Sequence, residues 1–265
     1  MSRADARTTD RSTSSGSWVT TRYAAGTPRL RLICLPHAGG SAASYRPWRA
    51  HLPEGWELAP AELPGRGSRM EEPPPALLEP LTEALAAGLA SELSLRYVLF
   101  GHSFGAVLAY ELTLRARREG LRAPEALVVS GARAPHLPLE REPVAEATDA
   151  GLTDWLRANG GLPEELLEFP DFLEVLLRSV RADVGIAERY VIPAPVPVDC
   201  PLITLAGAAD AVAPPHLVAP WAEYAGAAHD AHVLPGGHGF PQTHPGETVA
   251  ALHTALTGTG RATPG

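Results

Sequence analysis

Tyr97-Val98-Leu99-Phe100-Gly101-His102-Ser103-Phe104-Gly105-Ala106-Val107-Leu108-Ala109-Tyr110-Glu111-Leu112 reads as a strand, a sharp turn and a helix in direct succession. The apolar run 97–100 is short enough for a strand covered on both faces, and 106–112 has helical spacing. Gly101 and Gly105 stand two residues either side of Ser103, where a side chain would crowd a tight turn and where glycine tolerates positive φ. A nucleophilic serine needs that order of elements to stand exposed above a buried sheet. The bare Gly-x-Ser-x-Gly pattern is weak; its flanks give it weight. A passive serine in a glycine-rich turn is the competing reading.

Outward from this segment, short apolar runs alternate with helical patterns. Residues 30–35 read as a strand, followed by a Gly-rich loop at 36–41 and a short helix over 45–51. Residues 56–63 read as another strand, closed by Pro64-Gly65, and 77–93 has helical periodicity. Further strands are expected at 126–130, 202–205 and 231–234, and a last helix at 247–256. This alternation implies an α/β fold, with a mostly parallel central sheet flanked by helices. From about 135 to 197 the rhythm breaks into helical or irregular sequence, with short helices expected at 152–159, 163–169 and 171–180. A long helical insertion on the side where the serine turn opens reads as a lid. A purely structural excursion is the plainer alternative.

The 265 residues suffice for one well-buried domain, expected over 27–258. Residues 1–26 begin rich in Ser, Thr and Arg without an apolar core, so a disordered leader is expected, not a secretory signal. A flexible tail is expected at 259–265. The net charge of −8 argues against nucleic-acid binding, which needs a basic footprint. No apolar stretch approaches the roughly 20 residues of a membrane span. Cys34 and Cys200 lie beside apolar runs, and the expected cytoplasmic location keeps both reduced. No Cys/His cluster has ligand spacing, so neither metal nor organic cofactor is expected.

A serine hydroxyl needs a base, and the base an orienting acid. Behind such a turn they follow in the order acid, then histidine. Asp210 comes just past the strand at 202–205, in Ala206-Gly207-Ala208-Ala209-Asp210. His238 comes just past the last strand, in Pro235-Gly236-Gly237-His238-Gly239, where glycines let an imidazole swing towards the serine. Ser103, Asp210 and His238 are therefore the candidate triad. His102 is set aside because its neighbouring position points away from the nucleophile. His216, His229, His232, His244 and His253 lack a glycine loop, and Asp183 and Asp199 precede the wrong elements. The oxyanion of an acyl-transfer intermediate needs donors. The candidates are the N–H of Phe104, at the positive end of the following helix, and that of Ala38, in Pro36-His37-Ala38-Gly39-Gly40-Ser41. The latter loop lacks the Lys-Ser/Thr ending of a nucleotide-binding turn.

With these residues placed, the chain resembles the type II thioesterases that accompany polyketide and nonribosomal peptide synthetases, members of the α/β-hydrolase superfamily. The resemblance runs from about Leu30 to Phe240. It rests on Leu35-Pro36-His37-Ala38-Gly39-Gly40-Ser41-Ala42, Tyr45-Arg46-Pro47-Trp48, Leu63-Pro64-Gly65-Arg66-Gly67-Ser68-Arg69 and the serine turn. It continues in Ser130-Gly131-Ala132-Arg133-Ala134-Pro135, in Arg181-Ala182-Asp183 with Glu188 and Tyr190, and in Pro235-Gly236-Gly237-His238. Gly239 stands where the family usually has an aromatic residue, and Ala211 where a proline often follows the acid. The resemblance implies an α/β-hydrolase fold with a helical lid. It also implies hydrolysis of acyl thioesters from the phosphopantetheine arm of an acyl or peptidyl carrier protein, to clear stalled chains or release an intermediate.

Under that implication Leu173, Val175, Leu176, Leu177, Val180 and Val184 are candidates to line an acyl pocket; plain helix packing explains them equally. Carrier proteins are usually acidic, as is this chain, so docking would need a local basic face. Arg46, Arg66, Arg69, Arg178 and Arg181 are the candidates, with internal ion pairs the alternative for each. An oxygen-ester hydrolase, an acyltransferase and a non-catalytic binding member of the fold are the competing functions.

Overall fold

The computed structural model describes residues 18–162 and 164–258. Seven strands form one sheet: β1 (Tyr23–Ala24), β2 (Leu30–Leu35), β3 (Trp56–Pro60), β4 (Tyr97–His102), β5 (Ala126–Ser130), β6 (Leu202–Gly207) and β7 (His229–Leu234). Their order is β1-β3-β2-β4-β5-β6-β7. Only β1 runs antiparallel to its neighbour; β2 to β7 are mutually parallel. The helices are α1 (Leu78–Gly88), α2 (Ala90–Leu93), α3 (Phe104–Arg118), α4 (Asp149–Ala158), α5 (Pro170–Arg189), α6 (Pro215–Val218), α7 (Phe240–Thr243) and α8 (Pro245–Gly258). None among the described residues is long and apolar enough to cross a membrane.

The strands are apolar throughout because both sheet faces are covered, and their alternation sorts side chains between two cores. Ile33, Leu35, Leu99, Leu127 and Val129 point to one face, under Leu81 and Leu85 of α1 and Leu108 and Leu112 of α3. Leu32, Cys34, Val98, Phe100 and Val128 point to the other, under Tyr45, Trp48 and Val249 and Leu252 of α8. A third, smaller core holds the insertion between β5 and β6 together: Leu152, Leu156, Leu162, Leu177, Val180 and Val184. With β4 mid-sheet between β2 and β5, the loops after β4, β6 and β7 leave the same edge, where α/β sheets form their sites.

Three expectations need correction. The ordered domain begins before residue 27: Trp18 and Val19 are buried, and Tyr23 and Ala24 pair with β3. A Cβ on Gly88 would lie 1.8 Å from the Trp18 ring, and the Arg69 guanidinium stacks 4.0 Å above that ring. Arg22 pairs with Glu92, which also holds Arg31. Residues 1–17 and the expected tail at 259–265 lie outside the described residues. The single helix expected at 77–93 divides at Leu89, which ends α1 and opens α2 with φ −98° and ψ 5°. In the insertion, the helix expected at 171–180 runs on to Arg189, since nothing stops it before Tyr190 turns to extended backbone.

Candidate active site

Ser103 sits between β4 and α3 with φ 54° and ψ −117°, the only non-glycine residue at positive φ among the described residues. Such backbone costs about 1–3 kcal/mol and persists where its surroundings enforce it. Here the enforcement is close packing. A Cβ on Gly101 would lie 2.0 Å from the Gly105 carbonyl oxygen, and one on Gly105 2.1 Å from that of Leu35. The Ser103 N–H donates to the Ser130 carbonyl at 2.8 Å, fixing the turn to β5.

The loops after β6 and β7 bring the other two residues to the hydroxyl. His238 Nε2 lies 3.0 Å from Ser103 Oγ, and Nδ1 lies 2.9 and 3.1 Å from the two Asp210 carboxylate oxygens. Asp210 is almost wholly buried, and its Oδ1 accepts the N–H groups of Val212 and Ala213 at 2.8 and 2.9 Å. Burial works against the carboxylate, but hydrogen bonding from His238 and from those N–H groups outweighs it and holds the Asp210 carboxyl below its ordinary range. These bonds also fix the loop through Ala211. Gly236, at φ 104°, makes the bend that delivers His238.

Nδ1–H to carboxylate leaves Nε2 of a neutral His238 with its lone pair towards the hydroxyl. The arrangement is that of a base able to take the serine proton, with a carboxylate to orient the ring and stabilise the imidazolium.

Ser103, His238, Ala38 and Phe104 all line one cavity of about 280 Å³, roofed by the insertion. Phe104 opens α3, where N–H groups have no intrahelical partner. In the other loop, Gly40 N–H donates to the His37 carbonyl and Gly39 N–H to Asp183, so neither bond uses the Ala38 N–H that precedes them. Of the six expected acyl-pocket residues only Val184 reaches this cavity; Leu177 and Val180 pack instead into the core of the insertion. The cavity walls come from Val107, Leu139, Trp155, Tyr190, Val212 and Leu217, which no periodicity in the sequence singles out.

The expected docking arginines divide. Arg66 is buried and clasps Asp183, so it is not a surface residue. Arg69 pairs with Glu72 and stacks on Trp18. Arg181 donates to the carbonyls of Ala145 and Ala147 and to Asp149, stitching the insertion together. Arg46 and Arg178 stand exposed. His102, set aside on sequence, is buried against the His238 ring, at 5.1 Å between centroids.

A parallel sheet with a strained serine after its central strand, an acid after β6 and a histidine after β7 defines an α/β-hydrolase. A thioesterase-domain family model matches residues 30–256, and the chain belongs to that family. It is 38% identical to RedJ, a thioesterase of the prodiginine pathway of Streptomyces coelicolor, with a TM-score of 0.79 over 86% of this chain and 90% of RedJ. BorB, a type II thioesterase from the borrelidin biosynthetic cluster, superposes with a TM-score of 0.79 at 28% identity, over 93% of this chain and all of BorB (100%). The thioesterase PikA5 of Streptomyces venezuelae is 34% identical over 84% of this chain and 80% of its own length.

Proposed function

We propose that this protein is a serine thioesterase that hydrolyses acyl groups from the phosphopantetheine arm of an acyl or peptidyl carrier protein in secondary-metabolite biosynthesis, working in the cytoplasm. The observation that carries this reading is the hydrogen-bonded series Ser103, His238, Asp210 opening on a cavity beneath a helical insertion. Membership of the thioesterase family and the pathways named for RedJ and BorB support it.

Ser103 Oγ attacks the thioester carbonyl carbon as its proton passes to His238 Nε2. Asp210 holds the ring and offsets the imidazolium charge. The Ala38 and Phe104 N–H groups receive the oxyanion. The tetrahedral intermediate collapses by breaking its C–S bond. The arm leaves as thiolate and takes up the proton held by His238, which returns the ring to its neutral form with the acyl group now on Ser103. Water then gives a proton to His238 and its oxygen attacks the acyl carbon. Collapse returns the serine hydroxyl and frees the carboxylic acid. A thiolate leaves readily, so the site needs less general-acid assistance than amide cleavage does. The insertion acts as the lid that limits water and shapes the acyl cavity.

Comparing kcat/KM for a carrier-bound acyl thioester, a small acyl thiol and an oxygen ester of one chain length tests this reading. The carrier-bound thioester is expected to be preferred over both. Equal or greater efficiency on the oxygen ester would point to an esterase of the same fold.

A further inference from the structure

Asp183 is a carboxylate with no exposed surface, on helix α5 of the insertion. Its Oδ2 accepts the Gly39 N–H at 2.9 Å, and both its oxygens are clasped by Arg66, with Nη2 to Oδ1 at 3.0 Å. Arg66 is anchored in turn on the Pro64 carbonyl at 3.0 Å. Two neighbours on α5 reinforce the contact. Ser179 Oγ donates to the Gly65 carbonyl at 2.7 Å, and Val180 packs so tightly that a Cβ on Gly39 would lie 2.3 Å from its Cγ2. The loop bearing Ala38 is therefore gripped by the insertion through a charged, buried acceptor one residue away from the candidate oxyanion donor.

We infer that Asp183, fixed by Arg66, is a positioning residue for the oxyanion hole: by holding the Gly39 N–H it sets the direction of the Ala38 N–H beside it. The inference rests on the role proposed above for Ala38. It explains why a buried carboxylate is placed close to where negative charge develops. Alone it would oppose the oxyanion, and the bidentate guanidinium neutralises it while leaving an oxygen for Gly39. It also ties the oxyanion loop to the lid, so that hole and roof are placed by one helix.

Asp183→Ala alone would strand a buried guanidinium, so two double variants serve better. Arg66→Met/Asp183→Leu replaces the pair with apolar groups, a change folds tolerate, and deletes the acceptor for Gly39. Arg66→Met/Asp183→Asn also removes the ion pair but keeps an acceptor oxygen. On a small acyl thiol the Met/Leu variant is expected to lose about 10- to 100-fold in kcat relative to Met/Asn, with KM within about threefold. Its inhibition by an alkylboronic acid, which forms a tetrahedral adduct on the serine, is expected to weaken by a similar factor. Equal kcat and equal boronate inhibition in the two variants, or a change in KM alone, would overturn the inference. Failure of the boronate to inhibit wild-type protein would instead overturn the underlying reading of Ser103 and its oxyanion hole.

Discussion

His102 Nε2 donates to the main-chain carbonyl of His238 across 2.9 Å, so the residue preceding the serine braces the loop that carries its base. Nδ1 of the same ring lies 3.0 Å from Ser130 Oγ, which donates to it; a neutral ring protonated on Nε2 makes both bonds. Gly131 leaves room for the ring, since a Cβ there would lie 2.6 Å from His102 Cε1. His102→Phe keeps the volume but strands the His238 carbonyl. Steady-state kinetics on an acyl thiol should show kcat reduced about 10- to 100-fold with a smaller change in KM, the mark of a misplaced base. An unchanged kcat would remove His102 from the positioning of His238.

Acid should weaken the fold through the histidines under the site. Burial, with His238 and Arg66 nearby, lowers the His37 pKa to about 4. Burial, with His238 and His37 nearby, takes His102 well below its ordinary value. Unfolded histidine titrates near ~6.5, so as pH falls from there towards 4 the unfolded chain takes up protons that the folded one refuses. Stability is present above pH ~6.5 and is lost across that window, by up to ~1.4 kcal/mol per pH unit for each such group. Urea unfolding at pH 7 and pH 5 should therefore show a smaller loss for His37→Phe than for wild type. Parallel losses would contradict a neutral His37 in the folded protein.

Two glycines of the site loops should respond differently to alanine. Gly105→Ala puts a methyl group 2.1 Å from the Leu35 carbonyl oxygen in the core of the serine turn. It should destabilise the protein by about 2 kcal/mol or more and abolish activity. A Cβ on Gly239 would meet nothing within 4 Å, and its φ is −82°. Gly239→Ala should stay within ~0.5 kcal/mol of wild type. Denaturant midpoints and initial rates on both variants check the contrast.

Under the proposed function, docking of an acidic carrier protein is assigned to Arg46 and Arg178, the two candidate arginines that stand exposed. Arg178→Glu and Arg46→Glu should each raise the KM for an acyl-carrier protein about 2- to 10-fold while leaving a small acyl thiol unaffected. Equal losses on both substrates would assign these residues a structural role.

What could be read from the residues alone was what local pattern controls. The apolar runs at 30–35, 97–100, 126–130 and 202–205 carry strand character in themselves; the turns after 97–100 and 202–205 carry the Ser103 and Asp210 signals, and the glycines around His238 carry the third. Contacts between distant segments were not legible. Trp18 lies in a polar stretch, and its burial depends on Gly88, seventy residues away by number. Arg66, in Pro-Gly-Arg-Gly, has every local mark of an exposed loop residue; its partner Asp183 lies 117 positions further on. His102 points away from the serine as expected, yet its function is towards a backbone carbonyl 136 residues later. The cavity walls escaped for the same reason, being drawn from α3, the insertion, the loop after β6 and α6.

The most direct test is covalent. A fluorophosphonate probe followed by peptide mass spectrometry should place one adduct per chain on Ser103, with thioester hydrolysis lost in step. Ser103→Ala should take up no probe and lose about 1,000-fold or more in rate. Labelling elsewhere, or hydrolysis that persists in Ser103→Ala, would contradict the assignment of Ser103 as nucleophile.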